Sequence, residues 1–372
     1  MRILLLSHAP SIHTQRWARA LAGRGHEVRL LSVTPAPGAA FPGEPIGWSG
    51  APVPFPFLRY AAARAGVRRV LATWKPDATV AHFLPNYGFL AALAGARPFV
   101  LVAWGSDLLV NARRTPLHEA RARWVLGRAA LVHVDAENLA SAARDLGAPP
   151  DRVWSRPWGV EVDALAPSTA WRRRLESAGT LRILWNRMLE PLYDPETFLR
   201  ALASLKRSGR AFRATMAGDG PLRAELEAAA ARLGLGIGAD VRFVGRVDEA
   251  AMRALYREHE FYVSMSRSDS TSQSLLEAMA AGLYPIVSDI PGNAPWVRGA
   301  ADARERAGDA GRLVPCGDDR LLAEAIAAAA EDSGAEARIA RGMARVRAEA
   351  DWAETVALFE ARLAAMAREG SR

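Results

Sequence analysis

Between Ser264 and Gly282 the chain reads Ser-Met-Ser-Arg-Ser-Asp-Ser-Thr-Ser-Gln-Ser-Leu-Leu-Glu-Ala-Met-Ala-Ala-Gly, and a further apolar run, Tyr284-Pro-Ile-Val-Ser288, follows at once. The pattern predicts a strand, a hydroxyl-rich loop and a helix whose first turn falls near Gln273 and Ser274. The first amides of a helix lack intrahelical partners and its dipole is positive there, so the loop and helix start suit a phosphate. Asp269 belongs to the loop, whereas Glu277 projects from the helix about one turn in. Two carboxylates placed in that way can accept hydrogen bonds from hydroxyls at separate points of one ligand.

Several other chemistries lack their residues. No G-x-G-x-x-G follows the first apolar run, where Ser7-His-Ala-Pro-Ser-Ile12 stands, and neither Lys75 nor Lys206 sits in a phosphate-binding G-x-x-x-x-G-K-[ST] loop. His118-Glu119 lacks the second histidine of a zinc-binding helix, and no G-x-S-x-G elbow occurs. Cys316 is the single cysteine, which excludes an intrachain disulfide or a cysteine-clustered zinc site and fits a reducing, cytoplasmic compartment.

These groups need a scaffold, and the apolar pattern supplies one. Short apolar runs at 2–7, 27–33, 78–82, 98–104, 131–134 and 153–154 predict strands, with helical spacing between them, for example over 14–23. Residues 166–180, with Pro167, Ser168, Thr169, Arg172-Arg-Arg174 and Gly179, carry no apolar period and read as a linker. The alternation restarts with strands at 181–185, 212–217, 241–244, 261–264 and 284–288, separated by helices at 195–208, 221–233, 248–257 and 273–281. Two doubly wound α/β domains follow from this, at 1–165 and 166–350, with an amphipathic helix from 351 to 372. Ligands of such sheets bind beyond the carboxyl ends of the strands, so the loops after Ser7, His82, Trp104, Trp185, Ala217, Val244 and Ser264 are the candidates.

The 372 residues carry 48 Lys plus Arg against 40 Asp plus Glu, a net charge of +8. Counted by halves, residues 1–165 hold 19 against 11 and residues 166–372 hold 29 against 29, so the whole excess lies in the first half. Such a half suits an anionic acceptor or an anionic membrane surface. It contains no nucleic-acid-reading module, so no nucleic-acid partner is expected. Arg64, Arg68 and Lys75 fall on one face of a helix whose other face carries Val67, Val70, Leu71 and Trp74. That helix fits either packing on the sheet or contact with lipid. The longest uncharged run, Ala78 to Ala96, contains His82, Pro85 and Asn86 and is expected to form a strand, a loop and a helix start rather than a membrane span. Only Ile3 to Ser7 separates Arg2 from His8, too short for a secretory core.

Asp269-x7-Glu277-Ala-Met-Ala-Ala-Gly282 resembles the signature of the retaining glycosyltransferases of family four, with Asp in place of the commoner first Glu. The resemblance extends along the chain through Ser11-Ile-His-Thr-Gln-Arg-Trp17, Gly25-His-Glu-Val28, Trp104-Gly-Ser-Asp107, Trp158-Gly-Val160 with Asp163, Arg187, Gly218-Asp-Gly-Pro221 and Phe243-Val-Gly-Arg-Val247. It implies the GT-B fold, two Rossmann-like domains facing each other across a cleft. It also implies transfer of a hexosyl unit from a nucleotide diphosphate sugar, UDP-linked by preference, to a glycan, lipid-linked or other hydroxyl acceptor without a metal or cofactor.

By the same resemblance Glu277 would hold the nucleotide ribose and Asp269 the donor-sugar hydroxyls. Ser270, Thr271, Ser272 and Gln273 would hold the diphosphate or sugar through their backbone, and Arg187 would neutralise the diphosphate. Gly218, Asp219 and Gly220 would border the nucleotide pocket, and Arg246 with Val247 would line the base. His13, Arg16, His82, Trp104 and Asp107 would lie on the acceptor side. Asp107, Asp269, Glu277 and Arg187 form the catalytic set. Plainer roles stand beside these: an ion pair for Arg187, a cap for Asp107 or Asp269, a satisfied core histidine for His82.

The chain also departs from the family pattern. Leu192-Tyr193 stand where members usually have a lysine of the diphosphate clamp, Trp104 where many have histidine, and Ser11-Ile12-His13 where paired glycines are common. Two other readings therefore stay open: a catalytically weak nucleotide-sugar-binding protein, and another GT-B enzyme such as an epimerase or a phosphorylase.

Overall fold

The computed structural model describes residues 1–46, 60, 63–167, 171, 175–176, 179–298 and 310–370. The chain divides into two compact units, Met1–Pro157 together with Ala353–Arg372, and Trp158–Trp352. The division falls ahead of the expected boundary at 165/166, because residues 158–165 pack with the second unit. Val160 pairs with Asp351, and a Cβ on Gly159 would lie 2.6 Å from the Ala350 carbonyl oxygen. The expected linker over 166–180 lies partly outside the described residues.

The first unit holds seven strands, β1 (Arg2–Leu6), β2 (Glu27–Ser32), β3 (Glu44–Pro45), β4 (Ala78–His82), β5 (Phe99–Val102), β6 (Leu131–Val134) and β7 (Val153–Ser155). They form one parallel sheet in the order β3-β2-β1-β4-β5-β6-β7. The second unit repeats the topology with β8 (Leu181–Trp185), β9 (Phe212–Ala217), β10 (Val241–Gly245), β11 (Phe261–Ser264), β12 (Tyr284–Ser288) and β13 (Arg312–Val314), in the order β10-β9-β8-β11-β12-β13. The central strands are buried along their whole length, β4, β11 and β12 at every residue, because helices cover both faces of a parallel sheet. That is why they read as continuous apolar runs. Edge strands β3 and β13 escaped the sequence reading: one is two residues of Glu-Pro and the other begins with Arg.

The run Ala78 to Ala96 becomes β4, a wide turn over Phe83–Gly88 and the helix Phe89–Ala94. Among the described residues no helix is long and apolar enough to cross a membrane. The basic helix Arg64–Trp74 packs inward through Val67 and Val70, and Arg64 Nε donates to the Leu93 carbonyl at 3.0 Å. The last helix, Trp352–Gly370, is anchored within the first unit by Phe359, fully buried with its ring 4.8 Å from that of Trp17. Glu360 on the same helix accepts from Arg24 Nε at 2.5 Å and lies 3.0 Å from His26 Nε2.

In both sheets the strand order reverses beside the first strand of the unit, between β1 and β4 and between β8 and β11. At such a switch point the following loops turn to opposite faces and leave a crevice at the carboxyl edge.

Candidate active site

At the switch point of the second sheet, β8 ends in Trp185 and the next two residues are Asn186 and Arg187. The Arg187 guanidinium donates from Nη1 to Ser272 Oγ at 2.5 Å and Ser274 Oγ at 2.7 Å, and from Nη2 to Asp269 Oδ2 at 2.6 Å. Its carbon lies 4.4 Å from the centre of the Tyr193 ring. Burial weakens the charged form, but Asp269 and the hydrogen bonds overcome that, and the guanidinium pKa is raised. Arg187 is therefore a fixed cation, clamped from three sides by its own loop cluster.

Ser272 is the N-cap of the helix Gln273–Ala280 and accepts from the Leu275 amide. The same hydroxyl meets Arg187, so the cation is tied directly to the helix start, where a second positive potential resides. The Gln273 side-chain amide is buried there, and among the described residues neither Nε2 nor Oε1 has a partner. Ser270, Thr271 and Ser272 are buried in the loop. Asp269 accepts from Arg187 and, through Oδ1, from the Ser270 amide at 3.1 Å. The ion pair weighed against ligand contact for Arg187 is thus present, and it joins two residues expected to share one ligand.

Glu277 stands one turn into the helix and accepts from the Tyr256 hydroxyl at 2.8 Å; that hydroxyl accepts in turn from Asn186 Nδ2 at 2.6 Å. Burial and the Glu277 charge push the Tyr256 pKa well above its ordinary value, so Tyr256 stays a donor. Neither Tyr256 nor Asn186 was singled out in the sequence. Asn186 had one available signal, its place next to Arg187 at a strand end, whereas Tyr256 lies in an ordinary amphipathic helix.

Gly218 and Gly220 follow β9. A Cβ at Gly218 would lie 2.2 Å from the Arg187 carbonyl oxygen, and one at Gly220 would lie 2.4 Å from that of Leu189. Only glycine lets the β9 loop pass this close to the Arg187 loop. Asp219 between them is partly exposed, with Oδ1 accepting from the Gly220 amide. Gly292, which the sequence reading passed over, does the same for the other side: its Cβ would lie 2.0 Å from the Ser270 carbonyl oxygen and 2.6 Å from that of Asp269. Arg246 is exposed beyond β10, and Val247 packs partly against the apolar cluster beneath it. At the place of the expected lysine, Tyr193 supplies the ring under Arg187, while the Leu192 carbonyl accepts from the Arg267 amide and Arg267 pairs with Asp194 at 2.8 Å.

The acceptor-side residues assemble at the switch point of the first sheet. Ser7 Oγ lies 2.9 Å from His82 Nδ1 and 2.7 Å from Thr14 Oγ1, all buried. His82 Nε2 is buried without a partner among the described residues. The Trp104 ring stands 5.7 Å from that of His82 and 5.8 Å from that of His13. Burial pulls His82 down to about 3, and burial with the Arg16 charge pulls His13 down to about 4, so both are neutral at physiological pH. Asp107 was expected on the acceptor side or, more plainly, as a cap. It is fully buried, Oδ2 accepts from the Leu84 amide at 3.0 Å, and Oδ1 accepts from the amides of Trp104, Gly105 and Leu108. Burial raises its pKa against these four donors. Its carboxylate braces the loops after β4 and β5.

Comparison with known proteins gives the arrangement its relatives. A family model described as glycosyl transferases group 1 matches residues 183–332, and one described as glycosyl transferase 4-like domain matches residues 9–159. The phosphatidyl-myo-inositol mannosyltransferase of Mycobacterium leprae is 27% identical over 341 residues, 85% of this chain and 82% of the relative. Its counterpart from Mycolicibacterium smegmatis is 28% identical over 364 residues, 91% of this chain and 86% of the relative. Among solved structures, Anabaena HepE in complex with UDP superposes with a TM-score of 0.78 at 18% identity, over 98% of this chain and 100% of that one. The chain belongs to the family-four glycosyltransferases and has the GT-B fold.

Proposed function

We propose that the protein transfers a hexosyl unit, with retention of configuration, from a nucleotide diphosphate sugar to an acceptor hydroxyl on a glycan or lipid-linked molecule. The observation that carries the donor side is the junction of Arg187 with the start of the helix Gln273–Ala280. A buried, fixed guanidinium, the positive end of the helix and the unsatisfied Gln273 side-chain amide converge there. A diphosphate satisfies all three, and charge developing on it as it leaves is stabilised without reorganisation. In this reading Glu277 accepts from ribose hydroxyls, and its hydrogen bond from Tyr256 supports that by fixing the carboxylate.

Each of the three carboxylates is already engaged by groups of the protein. Asp269 is neutralised by Arg187, Glu277 already accepts from Tyr256, and Asp107 is enclosed by backbone amides. We assign the proton to the leaving group instead. The anomeric carbon–phosphate oxygen bond breaks, the acceptor oxygen bonds the same face of the anomeric carbon, and its proton passes to the departing diphosphate oxygen. No resident metal is needed in this reading. The names of the mannosyltransferase relatives favour mannose as the sugar and a phosphatidylinositol-like or other lipid-linked acceptor. The UDP in the Anabaena complex keeps uridine among the bases to try first. The excess positive charge of the first half suits such an anionic acceptor and a peripheral position on the inner face of a membrane.

The test is thermal stabilisation by a panel of UDP-, GDP-, ADP- and TDP-sugars, since a ligand that binds only the folded state raises its stability. One nucleotide is expected to stabilise the wild type and to lose that effect in Arg187→Ala, and the product anomer should match the donor. Stabilisation by none of them, or an unchanged response in Arg187→Ala, would remove the proposed donor site.

A further inference from the structure

A groove of about 600 Å³ opens at the opposite edge of the first sheet, where its strands begin. Arg97 lies two residues before β5, Arg128 three before β6 and Arg152 one before β7, so three successive strands each bring an arginine to the same groove. Phe99 and Met366 are apolar members of its lining, and among the described residues Glu369 is its one acidic member. Among the described residues none of the three arginines is in an ion pair, although arginine–carboxylate pairs are common elsewhere on this chain. Two of them are held by neutral groups. Arg128 stacks on the Trp124 ring at 4.1 Å and donates to the Trp124 carbonyl at 3.2 Å, and Arg152 Nη1 reaches the Ala129 carbonyl at 3.5 Å. A ring face and a carbonyl orient a guanidinium without cancelling its charge.

The geometry points to a second anion site in this groove, one that takes a phosphate or diphosphate ester bearing an apolar or ring portion. Planar guanidinium forks match phosphate oxygens two at a time, and a concavity of this size holds a drug-sized ligand. The site is independent of the donor reading: it lies at the amino edge of β5, β6 and β7, whereas the acceptor-side residues lie at the carboxyl edge. It also gives the positive excess of the first half a location. A soluble ester and a lipid headgroup both carry such a phosphate, and the experiment separates the two.

Inorganic pyrophosphate is titrated calorimetrically into the Arg187→Ala protein, which removes the proposed donor site, and into the same protein with Arg97→Ala, Arg128→Ala and Arg152→Ala added. In parallel, otherwise wild-type protein and the triple variant are sedimented with vesicles of phosphatidylcholine alone or mixed with phosphatidylglycerol. We expect the triple change to weaken pyrophosphate binding at least tenfold, and Arg128→Lys, which keeps the charge but loses the fork, to fall between. Sugar transfer to a soluble acceptor and the melting temperature should stay unchanged in the triple variant, which shows that it folds. Saturable pyrophosphate binding lost in the triple variant supports the site with a soluble ester. Vesicle binding that needs phosphatidylglycerol and the three arginines supports it with a headgroup. If neither pyrophosphate nor anionic vesicles distinguishes the triple variant from its parent, the groove is not an anion site.

Discussion

Removing one oxygen, in Tyr256→Phe, tests whether Glu277 is positioned by the chain or merely lies on a helix face. Tyr256 is 1% exposed and phenylalanine keeps its ring, so no cavity opens and the change isolates the hydroxyl. That hydroxyl donates to Glu277 Oε2 at 2.8 Å and accepts from Asn186 Nδ2 at 2.6 Å. A hydrogen bond to a charged group contributes about 1.5–3 kcal/mol, and the stranded Asn186 donor adds a desolvation cost of about 1–3 kcal/mol. Glu277 is only half-buried, so water recovers part of this. A net loss of about 2 kcal/mol is the expectation. For the 195 residues of Trp158–Trp352 this lowers the melting temperature by roughly 4–8 °C. If Glu277 holds the ribose, the same loss of positioning raises KM for the donor about 5- to 30-fold with little change in kcat. The decisive assay is a double-mutant cycle with Glu277→Gln, read both by unfolding and by donor KM. A coupling of about 1–2 kcal/mol is expected. Additivity within about 0.5 kcal/mol, the scatter of independent sites, would refute the claim that Tyr256 acts through Glu277.

Two further changes test the loops and the buried histidines. In Gly292→Ala the new methyl meets the Ser270 carbonyl at 2.0 Å, a backbone clash that must displace the 269–272 loop; donor stabilisation should drop at least tenfold while β-sheet content is retained, and full donor binding would show that the loop yields freely. In the first unit, burial holds His82 at about 3 and His133 at about 4, both below the ordinary 6.5. The unfolded chain then gains protons first as pH falls, so the stability from these depressed values is full above about 6.5 and erodes down to about 4 for His133 and about 3 for His82. The loss is about 2 kcal/mol per histidine at pH 5. Urea unfolding of the wild type and of His133→Asn at pH 7.5 and 5.0 measures it. An equal pH dependence in both proteins would show that His133 contributes none of it.

The central strands were legible because both faces of a parallel sheet are covered, which forces runs such as residues 3–6 and 261–263 to be apolar. The helix starting at Gln273 was legible from the change from a hydroxyl-rich loop to helical residues, and the Asp269–Glu277 spacing marked the site because it lies within one strand–loop–helix unit. Local signals of this kind depend only on neighbours in the chain. Strands β3 and β13 were not legible, since edge positions demand little of a side chain.

Which groups those motif residues would meet depended on segments far apart in sequence. Arg187 and Asp269 could each be nominated, yet their 2.6 Å ion pair spans 82 positions and makes one unit of two expected ligands. Asp107 could be nominated for the acceptor side or for a cap, and only the tertiary structure wrapped it in the amides of Leu84, Trp104, Gly105 and Leu108. The roles of Gly218 and Gly292 arise from close approach between loops that the sheet order brings to one edge, and that of Tyr256 from the meeting of two helices. The amino acid sequence by itself determined the two α/β halves, their family and the polar loop at 264–282, because those rest on short-range pattern. The pairing of charges, the bracing of loops and the three-arginine groove were decided by strand order, which the linear pattern does not encode.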